Sequence, residues 1–216
     1  MSNKTLEKSV RYQSTNTYET LNKLTKETKN VWIVFHGIGY LSKYFLKYFD
    51  ELNPLDNYII APQAPSKYYL NNSYKHVGAS WLTKENTKTE INNNLNYLEA
   101  ILQEENILSK HKLLIFGYSQ GVSMATRWVA QRKIKCNHLV LYAGGIPNEL
   151  TKNDFSHLDD STQISIIIGN KDEYLTKERL TIERGKSGII FNGRAKEHIF
   201  DGGHIVKKEL INNLKI

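Results

Sequence analysis

Short apolar segments alternate with longer, more polar segments along most of the chain. Six of the apolar segments are predicted as β-strands because they span four to six residues and are largely apolar. Continuous apolar runs of this length are typical of strands that are buried on both faces of a parallel sheet. The predicted strands are residues 31–35, 58–61, 112–116, 138–143, 164–168 and 197–200, of which the last is the least apolar.

Apolar positions three or four residues apart predict helices between these strands. One helix begins at Ser42, and a second follows Thr87, where Thr87-x-x-Glu90 has the spacing of a capping box. A third covers residues 120 to about 132, and a fourth lies at the C-terminus. Their apolar faces are Tyr44, Phe45, Tyr48, Phe49 and Leu52 in the first, Ile91, Leu95, Leu98 and Leu102 in the second, and Val206, Leu210 and Leu214 in the last.

The alternation of strands and helices predicts an α/β fold with three layers. Such βαβ units give a mostly parallel central sheet with helices on both faces. We expect a single domain over residues 1–216, without a large cap domain, because only residues 144 to about 163 separate two of the strands. The first 30 residues are polar, and the alternation at residues 10–12 predicts an antiparallel edge hairpin within residues 1–30.

Composition and charge exclude several other classes of protein. The net charge is +7, but the lysines are scattered, so we expect a solvated basic surface and no nucleic-acid partner. The single cysteine, Cys136, cannot form an internal disulfide, which favours a reducing compartment. The N-terminal residues lack the apolar core of a signal peptide, and no apolar run is long enough to span a membrane. We therefore expect a cytoplasmic protein without stable membrane insertion.

The pentapeptide 117–121, Gly-Tyr-Ser-Gln-Gly, lies between a predicted strand and a predicted helix. A G-x-S-x-G sequence in this position is typical of a nucleophile elbow, in which a tight turn lifts the serine hydroxyl clear of the sheet. Ser119 is therefore the candidate nucleophile, and the alternative is an ordinary turn serine.

Candidate groups for a base and an acid also follow predicted strands. His204 lies in a glycine-rich loop after the last strand and is the candidate base, with His76 as a distant second choice. Asp172 follows the strand 164–168 and is the candidate acid, with Glu173 and Asp201 as alternatives. Ligands of parallel sheets bind beyond the carboxyl ends of the strands, where all these loops should meet.

An acyl-transfer site also needs donors for the oxyanion. The backbone N–H of Gln120, at the start of a helix, is one candidate, and that of Ile38, in the turn 36–39, is the other. His36 is the first residue of this turn, and we expect it to hold the loop through its ring nitrogens. The alternative for residues 36–39 is a plain strand-to-helix turn.

Aromatic residues between Pro65 and Leu82 are candidates for a substrate pocket, and core packing or surface exposure is the alternative. They are Tyr68, Tyr69, Tyr74 and Trp81. The lone cysteine and the dispersed histidines have no metal-ligand spacing, so we expect neither a metal nor a cofactor.

From residue 31 to the C-terminus the chain resembles the α/β-hydrolase superfamily, and within it the small phospholipase/carboxylesterase branch that includes acyl-protein thioesterases. The motifs that carry the resemblance are His36-Gly37-Ile38-Gly39, Pro62-x-x-Pro65, Ser80-Trp81, Gly117-x-Ser119-Gln120-Gly121, Gly169-x-x-Asp172 and Gly203-His204. The resemblance implies a triad of Ser119, Asp172 and His204, with the Ile38 and Gln120 amides as oxyanion donors. Three features depart from the family pattern, namely Ile168 before Gly169, Val122 after the elbow, and the asparagine-rich helix after Trp81.

The expected function is hydrolysis of carboxylic esters or thioesters of small or acyl substrates through an acyl-enzyme intermediate. A small-molecule ester is the expected partner, and the sequence leaves the oligomeric state open. Three alternatives remain, namely a serine peptidase, a non-catalytic binding protein with the hydrolase fold, and a nucleic-acid binder, which would rest on the net charge alone.

Overall fold

A seven-stranded sheet forms the centre of the computed structural model, which describes residues 5–71 and 74–215. Its strand order is β1-β3-β2-β6-β7-β8-β9, and a separate pair, β4 and β5, forms a small second sheet. The strands are β1 Tyr18–Leu21, β2 Asn30–Phe35, β3 Asn57–Pro62, β4 Ser66–Tyr69, β5 Val77–Ser80, β6 Lys112–Tyr118, β7 His138–Tyr142, β8 Gln163–Gly169 and β9 Lys196–Phe200.

The pairing within the central sheet is parallel except at one edge, where β1 runs antiparallel to β3. The α-helices of the described residues are α1 Ser42–Phe45, α2 Thr87–Glu105, α3 Gln120–Arg132, α4 Lys177–Ile190 and α5 Lys208–Asn212. Short 3₁₀ turns lie at Leu46–Tyr48 and Lys152–Phe155. The six predicted strands are confirmed, with ends shifted by up to two residues.

Two apolar clusters cover the two faces of the sheet, as expected for three layers. On one face, Leu98 of α2 and Trp128 of α3 pack over the strands. On the other face, Phe45 of α1 and Ile211 of α5 pack around Phe116. Every residue of β2, β3 and β7 is buried, which explains why these strands read as continuous apolar runs.

The N-terminal segment corrects the predicted hairpin. Among residues 5–29 the structure has one strand, β1, which pairs with β3 and not with a second N-terminal strand. Val10 and Tyr12, whose alternation suggested a strand, are more than four-fifths exposed. A strand there has too little apolar surface to bury, whereas the open edge of β3 needs a partner for its backbone groups.

The capping box predicted at the start of α2 is not formed in the structure. Asn86, with φ of +50°, precedes the helix, and no side chain caps it. Glu90 instead accepts a hydrogen bond from the backbone N–H of Thr83 at 2.7 Å. Thr87 donates its hydroxyl to the carbonyl of Thr83 at 2.8 Å. Both side chains therefore fasten the loop before the helix, because the loop turns back over the first helical turn.

Two structures near the carboxyl ends of the strands were not predicted. The first is the arm, our name for residues 66–71 and 74–80, in which β4 and β5 pair antiparallel. The second is α4, whose buried residues are Ser187 and Ile190 alone, so its sequence lacks a clear apolar face. Residues 143–162, between β7 and β8, contain only the short 3₁₀ turn and no cap domain.

No helix within residues 5–71 and 74–215 has the length and apolarity needed to cross a lipid bilayer.

Candidate active site

Ser119 lies in a strained turn between β6 and α3. Its φ and ψ are +53° and −119°, a conformation that L-residues rarely adopt and that costs about 1–3 kcal/mol. The backbone N–H of Ser119 donates to the carbonyl of Tyr142 at 2.9 Å, which ties the turn to β7. A Cβ at Gly121 would overlap the carbonyl oxygen of Phe35, so the close approach of α3 to β2 requires glycine there.

Three side chains from three loops form a continuous hydrogen-bonded chain. Nε2 of His204 lies 2.9 Å from Oγ of Ser119. Nδ1 of the same ring lies 2.7 Å from Oδ2 of Asp172. The Asp172 side chain is 0% exposed, and its Oδ1 accepts a hydrogen bond from the backbone N–H of Tyr174 at 2.9 Å. An acid, a base and a hydroxyl in this order can activate the hydroxyl as a nucleophile.

Two tyrosines that sequence reasoning missed hold His204 in place. The Tyr118 hydroxyl donates to the backbone carbonyl of His204 at 2.8 Å, and the two rings lie 5.2 Å apart. The ring of Tyr174 meets the imidazole edge-on at 4.8 Å. Both tyrosines are sequence neighbours of predicted site residues, but only the fold shows which of their faces meet the imidazole.

The alternative acids and the alternative base lie elsewhere. Asp201 is 72% exposed and forms an ion pair with Lys171 at 2.8 Å. The hydrogen bonds from Lys171 and then Asn170 lower the pKa of its carboxyl group. Glu173 is exposed, and His76 lies on the arm. The hydrogen bonds therefore join His204 to Asp172 rather than to either alternative.

His36 holds the turn that follows β2, as expected. Its Nδ1 lies 2.8 Å from the carbonyl oxygen of Gly37, and its Nε2 accepts from the backbone N–H of Ala64 at 3.1 Å. Burial lowers the pKa of His36 to about 4. The ring is therefore neutral, with the proton on Nδ1, which matches both hydrogen bonds.

Two backbone amides near Ser119 have no intramolecular acceptor among the described residues. In the part of the chain that the structure describes, the N–H of Ile38 donates to no acceptor, although its neighbours Gly39 and Tyr40 both donate. Gln120 is the first residue of α3, where the N–H has no partner within the helix. A Cβ at Gly37 would lie 3.2 Å from Cβ of Ser119, so the turn is in close contact with the serine.

The side chain of Gln120 links the elbow to β5. Its Oε1 accepts from the backbone N–H of Trp81 at 2.8 Å, and its Nε2 donates to the carbonyl of Leu82 at 2.8 Å. The indole of Trp81 donates to the carbonyl of His36 at 2.8 Å. Gln120 and Trp81 thus join the elbow to the turn that carries Ile38. Sequence reasoning missed this link, although both residues belong to motifs of the family resemblance.

The structure corrects the prediction for one of the four aromatic pocket candidates, Trp81. Trp81 is 0% exposed and lies in the core against Phe35, so it cannot line a pocket. Tyr68, Tyr69 and Tyr74 are exposed on the arm, and the last two pack on each other at 5.0 Å. A cavity of about 490 Å³ does lie beside the arm, but Leu70, Lys75, His76 and Val77 line it, together with residues 39–41, Lys43 and Tyr44.

Among the residues that the structure describes, His, Cys, Asp and Glu side chains form no group of three or more that could hold a metal ion.

Comparisons with known proteins agree with this architecture. The sequence matches the model of the phospholipase/carboxylesterase family over residues 16–214. No protein of curated function matches the chain in sequence.

Solved structures are similar to the chain in fold. They include acyl-protein thioesterase 2 from Zea mays, with a TM-score of 0.69 and 14% identity over 91% of this chain and 95% of that one. A carboxylesterase from Mesorhizobium loti has a TM-score of 0.67 and 13% identity over 87% and 88%. The carboxylesterase from Bacillus cereus has a TM-score of 0.64 and 13% identity over 91% and 90%. The family model spans nearly the whole chain, and the fold is similar to those of these solved structures. The protein therefore belongs to the phospholipase/carboxylesterase family of α/β-hydrolases.

Proposed function

We propose that the protein hydrolyses carboxylic esters and thioesters of small or acyl substrates, with Ser119 as nucleophile, His204 as general base and Asp172 as the orienting acid. The observation that carries the proposal is the pair of hydrogen bonds that joins Ser119 to His204 and His204 to Asp172. Membership of the family supports an esterase-type hydrolase in general, and the hydrogen-bonded chain supplies the residues.

In the first half of the reaction, Nε2 of His204 takes the proton of the Ser119 hydroxyl as Oγ attacks the ester carbonyl. The carbonyl oxygen becomes negatively charged and accepts hydrogen bonds from the amides of Ile38 and Gln120. Each donor contributes about 3 kcal/mol in the transition state. The tetrahedral intermediate collapses to the acyl-enzyme, and the imidazolium gives its proton to the departing alkoxide or thiolate.

In the second half, His204 takes a proton from a water molecule, which attacks the acyl-enzyme carbonyl. Collapse of the second intermediate releases the carboxylic acid and returns the proton to Ser119. Asp172 keeps the Nδ1 proton of His204 in place throughout and stabilises the imidazolium. Its complete burial makes this charge interaction stronger than it would be in water.

We also propose that the protein works in the cytoplasm. Cys136 is buried and unpaired, and burial raises the pKa of its thiol to about 12. A protonated, inaccessible thiol suits a reducing compartment, where disulfides are rare.

The test is labelling with a fluorophosphonate, which reacts with activated serines, together with hydrolysis of p-nitrophenyl esters and acyl thioesters of increasing chain length. Ser119→Ala should abolish both labelling and turnover. Ser123→Ala is the matched control, because Ser123 lies in the first turn of α3, the helix that follows Ser119. This variant should retain both labelling and turnover. Labelling that persists in Ser119→Ala would contradict the proposal, and the chain-length series ranks oxygen esters against thioesters.

A further inference from the structure

The cavity beside the arm begins next to the proposed oxyanion turn. Gly39 lines it and is separated from Gly37 by one residue, and Gly37 is in close contact with Ser119. Tyr40 also lines it, and its ring packs against that of Tyr118 at 5.8 Å. The cavity wall therefore includes part of the turn that contacts Ser119.

The cavity combines apolar walls with basic groups. Leu70 and Tyr44 supply apolar surface, whereas Lys43, Lys75 and His76 supply nitrogen groups. Its described lining residues include no aspartate or glutamate. The Lys43 ammonium lies 4.9 Å from the centre of the Tyr44 ring, which also lines the cavity.

This arrangement favours one kind of ligand. Basic groups in a concave site attract an anion more strongly than the same groups on a flat surface, because the low-dielectric walls concentrate the field. The apolar walls at the same time suit a short hydrocarbon spacer between an anionic group and the reacting carbonyl.

We propose that this cavity binds a negatively charged group of the substrate, so that the preferred substrates are esters or thioesters with a carboxylate or phosphate a few bonds from the reacting carbonyl. The inference rests on the proposed function, because it concerns the selectivity of the same site. Lys43 is a specificity-determining residue in this proposal.

Two substrate pairs separate the two sources of charge. The first pair is the p-nitrophenyl monoester of glutaric acid and p-nitrophenyl pentanoate, which place a carboxylate or a methyl group at the end of the acyl chain. The second pair is butyryl glycerol 3-phosphate and monobutyryl glycerol, which place a phosphate or a hydroxyl on the leaving group. The measured quantity is the ratio of kcat/KM between the anionic and the neutral member of each pair.

The chain offers a matched control for Lys43. The Lys47 ammonium lies over the same Tyr44 ring at 5.3 Å, but Lys47 is not among the cavity-lining residues. Lys43→Gln should lower the anionic-to-neutral ratio about three- to fivefold for at least one pair. Lys43→Arg should retain the ratio, and Lys47→Gln should change it less than about twofold. Raising the salt concentration should reduce the wild-type ratio, because counterions screen the attraction.

An equal loss in Lys43→Gln and Lys47→Gln would overturn the proposal, because the effect would then arise from general surface charge. Unchanged ratios in Lys43→Gln for both pairs, with hydrolysis still dependent on Ser119, would overturn the inference alone. Absence of Ser119-dependent hydrolysis of all four substrates would overturn the inference and the proposed function together.

Discussion

The carboxylate of Asp172 has a role that its exposed neighbours cannot take over. It is fully buried, and one oxygen bonds His204 while the other accepts a backbone N–H. Asp172→Asn keeps the shape but removes the charge and allows the wrong imidazole tautomer. We expect kcat to fall by about 10³- to 10⁴-fold in this variant, measured with a p-nitrophenyl ester.

Asp201→Asn is the control for this prediction, because Asp201 lies in the same loop as His204 but is exposed and paired with Lys171. Its kcat should stay within about twofold of the wild-type value. A larger loss in Asp201→Asn than in Asp172→Asn would make Asp201 the orienting acid.

Individual site residues differ in how far the sequence predicts them. Ser119 and Asp172 follow strands whose apolar pattern is clear, and His204 lies in a glycine-rich loop after a less apolar strand. Sequence reasoning therefore selects all three, and the fold brings them within hydrogen-bond distance. For Trp81 the sequence did not distinguish a pocket from the core, because a tryptophan near a loop suits both. Its burial depends on the path of the arm, which short, exposed strands do not reveal in the sequence.

The link between α3 and β5 depends on one side chain. Gln120→Ala removes the acceptor for the Trp81 amide and the donor to the Leu82 carbonyl. We expect a loss of about 2 kcal/mol in the free energy of unfolding, because buried partners are left unsatisfied. The melting temperature should fall by about 4–8 °C. Because the turn that carries Ile38 is released, kcat should decrease more than KM increases.

Gln131→Ala is the control, since Gln131 is exposed near the other end of α3. It should change neither the melting temperature nor kcat measurably. Equal melting temperatures for Gln120→Ala and Gln131→Ala would show that the link does not stabilise the elbow.

Polar contacts help to hold helix α4 to the fold. Glu183 accepts from the backbone N–H of Ile146 at 3.0 Å, and Lys186 donates to the carbonyl of Ile146 at 2.6 Å. The loop that they hold includes Gly144, where a Cβ would overlap the carbonyl oxygen of Ser119. The contact is polar and distant in sequence, which explains why helical periodicity did not predict α4.

Glu183→Ala should loosen both α4 and the loop 144–148. We expect faster amide hydrogen exchange over residues 177–190, because the helix loses one of its anchors and has few buried residues. Glu178→Ala is the control, because Glu178 is exposed in the first turn of the same helix. Similar exchange in the two variants would indicate that apolar contacts suffice to hold α4.

The central sheet and its helices were more predictable than the edge strand β1 and the arm. Buried parallel strands carry their own signal in continuous apolar runs, so the order of strands and helices gave the three-layer fold. The edge strand β1 and the arm are short and half exposed, and their pairing partners are set by open backbone edges rather than by apolar pattern. The residues that line the cavity beside the arm are therefore not the aromatic residues that the sequence suggested for a pocket.

Two buried histidines make the stability of the whole molecule depend on pH. Burial lowers the pKa of His36 to about 4. The pKa of His138 is also lowered to about 4, mainly by burial and to a smaller extent by the charge of His198. In the unfolded chain a histidine has a pKa of about 6.5. The unfolded state therefore binds more protons between these values, and the free energy of unfolding falls as the pH drops from 6.5 to 4. The full shift corresponds to about 3 kcal/mol for each histidine.

Urea unfolding at pH 7, 5.5 and 4.5 measures this dependence, and His138→Gln isolates one of the two groups. Glutamine keeps a hydrogen-bonding group near Ser165, which lies 2.9 Å from Nε2 of His138, but it cannot take up a proton. As the pH falls, the unfolding free energy of His138→Gln should therefore decrease less than that of the wild type. His76→Gln, on the exposed arm, should follow the wild-type curve at every pH. If the His138→Gln curve also runs parallel to the wild-type curve, His138 does not stay neutral in the folded protein.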